Sequence, residues 1–309
     1  MNYKRSLLAA VTSFITPWAA VHAEAETTWF GTLDVSYAQV KDNGVKDNQI
    51  RGTGSKVGVR GFSTLDPKFD VTYMIEGFVS VEDNKTRKNT RQAWAGLRGD
   101  FGEIRAGRQL GATQVSSEWV ELFADQYGDY NTVLESDVFH KESLAYINKS
   151  GDFGYAFEIS TDDDLSPNPH QITATDFMVN YQKGDIYGAV ASVRAKDSFR
   201  TNRLTFGYKP EANYQVGAIV ERYKPETGQG YQAQILNGAY KSGQLTFKAQ
   251  YGTNKPDNGG KTETLMATGV DYALDKKTRI TLEYTVNKNR EHQDGDKVRT
   301  TAIGLVHSF

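Results

Sequence analysis

The sequence of 309 residues has no cysteine, no excess of either charge, and no long apolar run beyond its first two dozen residues. The missing cysteine excludes a disulfide framework and any thiolate zinc centre. The missing apolar run excludes a membrane-spanning helix in the body of the chain. A balance of 36 basic to 38 acidic residues is not that of a nucleic-acid binder. Histidine is scarce, at five, and scattered. No Ser–His pair or Cys/His set stands at a catalytic or metal-binding spacing. The Asp162-Asp163-Asp164 run could hold Ca²⁺ but reads first as a solvated acidic loop. No cofactor, metal or catalytic residue is expected, and the chain does not read as an enzyme.

The sequence does contain alternation. Leu245, Phe247, Ala249 and Tyr251 alternate with Thr246, Lys248, Gln250 and Gly252. Ile280, Leu282, Tyr284 and Val286 do the same, as do Phe153, Tyr155, Phe157 and Ile159. A period of two marks strands with one apolar and one polar face. Mean hydropathy is only −0.57, so there is no further apolar material to cover all these faces. A closed barrel in a membrane resolves this, with its apolar side in lipid and its polar side around water.

The N-terminus reads as a secretory signal. Lys4 and Arg5 precede a mostly apolar stretch over 6–21, and Val21-His22-Ala23 offers a cleavage site before Glu24. Residues 1–23 are therefore set apart, and 24–309 reads as one domain. Losing Lys4 and Arg5 leaves 34 basic and 38 acidic residues, a net charge of −4.

About 16 strand-like segments are legible, and their connections alternate in length. Short, turn-rich ones fall near 64–68, 99–102, 150–152, 183–185, 209–212, 241–244 and 274–277. Longer polar ones fall near 41–53, 82–89, 109–141, 161–172, 195–198, 224–230, 254–262 and 288–297. The pattern predicts an all-β, antiparallel transmembrane barrel with both ends on the short-turn side. Ile303, Leu305, His307 and Phe309 share one parity, so the last strand should close the barrel against residues 29–40.

The run Arg91-Gln92-Ala93-Trp94-Ala95-Gly96-Leu97-Arg98-Gly99-Asp100-Phe101-Gly102-Glu103-Ile104-Arg105-Ala106-Gly107-Arg108-Gln109 resembles the fourth and fifth strands of the Gram-negative general porins. Gly58-Val59-Arg60-Gly61, the long segment 109–141 and the His-x-Phe ending extend the resemblance. It implies a homotrimer of 16-stranded barrels among the lipids of the cell outer membrane. The barrel-assembly machinery would insert it, with Phe309 as the closing-strand signal. Each barrel would hold a water-filled pore for passive diffusion of ions and small hydrophilic solutes. The third external loop would fold inward, its acids facing a basic wall.

Alternation assigns Lys56 and Arg60 of the second strand to the pore, opposite in direction to Val57 and Val59. It assigns Arg105 inward because Ile104 and Ala106 face out, and Arg91 to the lumen because Ala93 and Ala95 face out. A cation in hydrocarbon would cost about 2–4 kcal/mol near the midplane, which favours the inward direction. The segment 109–141 is too long for a turn, and its Trp119, Leu122, Phe123, Tyr127 and Tyr130 suit packing on the barrel wall. Its Glu121, Asp125 and Asp129 are the expected acidic side of the constriction. Where the porins carry another lumen cation, this chain has Ala145. A thinner basic wall and an acid-rich loop predict mild cation preference. Two other readings are a sugar-selective channel, with Trp119, Tyr127 and Tyr130 as its track, and a plugged surface or adhesin barrel. The connection 82–89 is a candidate latch onto a neighbouring subunit.

Overall fold

Period-two strands joined by tight turns have one way to leave no edge, and the chain takes it. In a computed structural model that describes residues 25–52, 54–81, 90–134, 136–161, 173–211 and 213–309, every strand pairs with its sequence neighbours and the last pairs with the first. The expected signal, the connection 82–89 and Asp162–Asp164 lie outside the described residues.

Among the described residues, sixteen strands form the closed antiparallel sheet. They are β1 (Ala25–Asp42), β2 (Val45–Arg51 and Lys56–Asp66), β3 (Phe69–Phe78), β4 (Thr90–Gly99), β5 (Gly102–Leu110), β6 (Phe139–Ser150), β7 (Phe153–Ser160) and β8 (Ala174–Lys183). The ring continues through β9 (Ile186–Ala195), β10 (Phe199–Glu211), β11 (Tyr214–Pro225), β12 (Tyr231–Ser242), β13 (Leu245–Pro256), β14 (Glu263–Ala273), β15 (Thr278–Lys288) and β16 (Lys297–Ser308). Closure runs from Thr32 opposite Ser308 to Asp42 opposite Val298, a little higher on β1 than the expected 29–40. Beyond the ladder, the Phe309 N–H donates to the Gly31 carbonyl at 3.1 Å and the Gly31 N–H returns a bond at 3.2 Å. Gly31 carries no Cβ because the Phe309 ring lies over it.

The outward face is apolar at the height of the bilayer. Leu33, Val35, Leu204, Phe206, Leu236, Tyr251, Leu282 and Ile303 are all exposed. Aromatic pairs collect beside the short turns. Phe69 meets Phe101, Phe153 meets Tyr181 and Tyr214 meets Tyr240, with ring centroids 6.2, 5.1 and 4.9 Å apart. Rings with polar tips favour that interface.

Three expectations need correction. The connection 41–53 is not a loop. β1 and the upper part of β2 form a hairpin whose turn is only Asn43-Gly44, with φ of 46° and 97°. Two successive positive φ values match the right-handed strand twist, and Asn-Gly adopts them readily. The ladder breaks just below, between Arg51 and Lys56. There the Ser55 hydroxyl accepts from the Asp34 N–H at 2.9 Å and donates to the Asp34 carbonyl at 3.0 Å, standing in for a missing strand residue.

The second correction concerns parity. Counted strictly, residue 91 falls on the same side as the outward Ala93 and Ala95. The register shifts between Glu76 and Gly77, where Gln92 and Thr90 are the successive partners. This bulge turns Arg91 inward, as bulges re-aim side chains elsewhere. The third concerns the end of the long connection 109–141, which stops short of residue 139. His140 is not on a loop; it is the second residue of β6 and is buried.

Candidate pore constriction

Residues 111–134 enter the barrel after β5, and 136–138 lead out into β6. A chain segment inside a barrel must satisfy its backbone polar groups without full access to water. The inward side chains of the far wall do this. Gln215, Asn237, Gln250 and Asn254 donate to the carbonyls of Trp119, Val120, Gly128 and Val133 at 3.0, 2.8, 2.7 and 3.0 Å. The Glu283 carboxylate accepts from the Tyr127 N–H at 3.3 Å.

Apolar contact supplies the rest of the seat. Val120, Tyr130, Val133 and Leu134 of the loop pack on Ile219, Tyr231, Ala233, Ile235 and Leu265 of β11, β12 and β14. The hydrophobic core of this protein therefore lies inside the barrel, under the loop. Gly207 and Gly217 make this possible, since a Cβ on either would strike Trp119 or Val120. Trp119 stacks on Tyr187 at 5.4 Å and Tyr130 is buried, so both rings pack on the wall, while Tyr127 lies under the Arg51 guanidinium at 5.0 Å.

Arg203 binds both limbs of the loop. It is 1% exposed. It donates to the Ser117 hydroxyl at 2.7 Å and the Thr113 carbonyl at 3.3 Å on the entering limb, and to the Ser136 hydroxyl at 3.1 Å on the returning one. Asp137 at 2.7 Å and Glu221 at 2.6 Å balance its charge.

The loop tip reaches across to β2 and β4. Asp125 has φ of 59°, a left-handed conformation that aspartate tolerates better than most residues. Its N–H donates to Asp129 at 2.9 Å, which fixes the bend. One Asp125 oxygen lies 3.6 Å from the Lys56 ammonium and the other 3.7 Å from the Arg91 guanidinium. Arg91 also pairs with Glu76 at 2.8 Å and lies over the Phe78 and Phe139 rings.

Two cavities flank this contact. One of about 450 Å³ is lined by Lys56, Arg91, Glu118, Glu121, Asp125 and Asp129. Another of about 780 Å³, towards the short-turn end, is lined by Arg60, Arg98, Arg105, Glu103 and again Glu118. Glu118 thus stands where the two meet. Lys56, Arg91, Glu121, Asp125 and Asp129 are together in the first cavity. Arg60 and Arg105 are in the second, where Arg105 pairs with Glu103 at 2.9 Å and lies 4.1 Å over Trp94. Ala145 lies opposite Arg105 in the ladder and faces the second cavity.

Burial shifts the loop acids towards their neutral forms to different extents. Burial, reinforced by the Asp129 and Asp137 carboxylates, pushes Glu121 up to about 8. Burial pushes Asp129 up to about 6 against the hydrogen bonds from Asn131 and Asp125. Asp137 is raised as well, mainly by burial.

Sequence reasoning gave the packing of the loop on the wall but not the wall residues that receive it. Their signal was present as inward-parity amides and glycines on consecutive strands, which a water-filled wall does not require.

The chain's likeness to known proteins agrees with this architecture. The sequence profile of Gram-negative porin matches residues 7–309. The major outer membrane protein P.IB of Neisseria sicca is 24% identical, covering 99% of this chain and all of that one. An anion-selective porin from Comamonas acidovorans superposes with a TM-score of 0.79 at 20% identity, over 93% of this chain and 100% of its own. The trimer form of OmpT from Vibrio cholerae does so with a TM-score of 0.70 at 16% identity, over 92% and 99%. A barrel closed without an edge, a loop folded into its lumen and a family match over nearly its whole length place this chain in the Gram-negative porin family, as a channel of the outer membrane.

Proposed function

We propose that each chain is one pore of a trimer, passing ions and small hydrophilic solutes by passive diffusion with a weak preference for cations. One observation carries this reading: the loop tip lies against Lys56 and Arg91, so both wall cations are matched by acids while further loop acids line the same cavity. Charges arranged on two sides of a narrow, low-dielectric passage order water and sort solutes by polarity and sign. The similar structure from Comamonas acidovorans is described as anion-selective, so the comparisons lend the cation preference no support. Trimerisation draws support from the OmpT structure, described as a trimer form.

Planar-bilayer recording of the purified protein under a salt gradient tests the proposal. Conductance that grows with salt, closure in three steps and a reversal potential of cation sign are expected. Anion sign would sink the selectivity reading. The ion pairs from Asp125 to Lys56 and Arg91 also favour a second reading, a barrel shut by its own loop. Folded protein without conductance would establish that one instead.

A further inference from the structure

Three buried titratable groups outside the constriction share one spot on the inner wall. Glu158 of β7 lies directly opposite Asp176 of β8 in the ladder, both pointing inward. They are 2% and 0% exposed, and His140 beside them is 3% exposed. Like charges directly opposed across a ladder repel, more so away from water. β6 departs from regular register to bring the imidazole in. Its pairing with β5 shifts between Gly107 and Gln109, and Glu142 takes φ of 46°.

The donor atoms are arranged for a shared ligand. One nitrogen of His140 and one oxygen each from Glu158 and Asp176 all lie within 4.8 Å of one another. His140 Nε2 and Asp176 Oδ2 are 3.1 Å apart. A zinc tetrahedron with bonds of ~2.1 Å has an edge of roughly 3.4 Å. Glu158 Oε1 is buried and has no hydrogen-bond partner. Space beside the donors is kept by Gly111, whose added Cβ would come 2.6 Å from Asp176 Oδ2 and 3.2 Å from His140 Nε2. The remaining Asp176 oxygen accepts from the Thr113 N–H at 3.0 Å and its hydroxyl at 2.6 Å, holding the carboxylate in place as supporting bonds do at metal centres. Glu158 also lines the 780 Å³ cavity, which gives an ion a way in.

We propose that His140, Glu158 and Asp176 bind a divalent transition-metal ion, with zinc as the best fit to one imidazole and two carboxylates and the fourth position open to the lower cavity. The three ligands come from three adjacent strands, and Asp176 also holds Thr113. The bound ion therefore fastens the root of the inward loop to the wall.

The test uses untagged, folded full-length protein in detergent, stripped with chelator and titrated with Zn²⁺ alone. One zinc per chain should survive gel filtration, as measured by elemental analysis. Zinc should raise the unfolding temperature of the parent protein. Glu158→Gln, close in shape, should weaken binding at least tenfold, and His140→Ala should abolish it. Co²⁺ in place of zinc should give the visible absorption of a four-coordinate site. If His140→Ala does not fold, Glu158→Gln and the cobalt spectrum decide. No retained zinc in the parent protein overturns the proposal. So does zinc retained equally by Glu158→Gln, which would place the ion on surface carboxylates.

Discussion

On β10 to β14 the inward positions hold Arg203, Ile219, Glu221, Ala233, Ile235 and Leu265, all buried under the loop. On β2 to β5 they hold Lys56, Arg60, Trp94, Arg98 and Arg105, which line cavities. Both halves present the same apolar band outward. The lipid thus imposes one rule on the whole ring, while the inward side is free to be a dry seat on one half and a wet wall on the other. Where the loop lies decides which.

The largest effect should come from the dry half. Arg203→Ala leaves Glu221 and Asp137 without their cation in a buried place, and breaking such a pair costs about 3–5 kcal/mol. Denaturant unfolding should move by that amount and open-channel current should become noisy as the loop loosens. Quiet currents with unchanged unfolding would mean that the loop is not held there. Leu265→Ala removes core packing from the same seat and should cost about 2–5 kcal/mol. If it behaves like a truncation on the wet half, the distinction between the halves fails.

On the wet half the readout shifts from stability to current. Arg91→Ser should widen the passage and raise both conductance and cation preference. One charge at about 4 Å in a watery site is worth about 1 kcal/mol, a few-fold change in an ion ratio. Unchanged conductance and selectivity would remove Arg91 from the constriction. The smallest effect should come from pH. Asp129, raised to about 6, and Glu121, raised to about 8, gain charge only as pH climbs past those values. Cation preference should therefore rise in two steps from pH 5 to 9, and Glu121→Gln should delete the upper one. A flat profile would show that both acids are already ionised at pH 5.

Alternation made the barrel legible, because lipid tolerates few polar exceptions at its depth. It was least informative where lipid is not the judge. Above the bilayer, residues 41–53 read as a polar loop, and 41–51 form a hairpin. At residue 91 a bulge overrides the count. The loop's acids were visible as a cluster, and five of the seven expected charged residues gather in one cavity. Arg60 and Arg105 do not, because parity gives direction and says nothing of height. The His140, Glu158 and Asp176 cluster was invisible to spacing, since its members meet across three strands and through an irregular register.

The interrupted second strand has a consequence for how this molecule can change. Ser55 completes the hydrogen bonding at the break, so the Asn43-Gly44 hairpin joins the wall through a seam and not through an unbroken ladder on that side. Length added at the hairpin tip is expected to be absorbed at the seam, leaving Lys56 opposite Thr32 and facing Asp125. The outermost part of this channel can then vary under external pressure, or carry a grafted peptide, while the charges that govern passage keep their places.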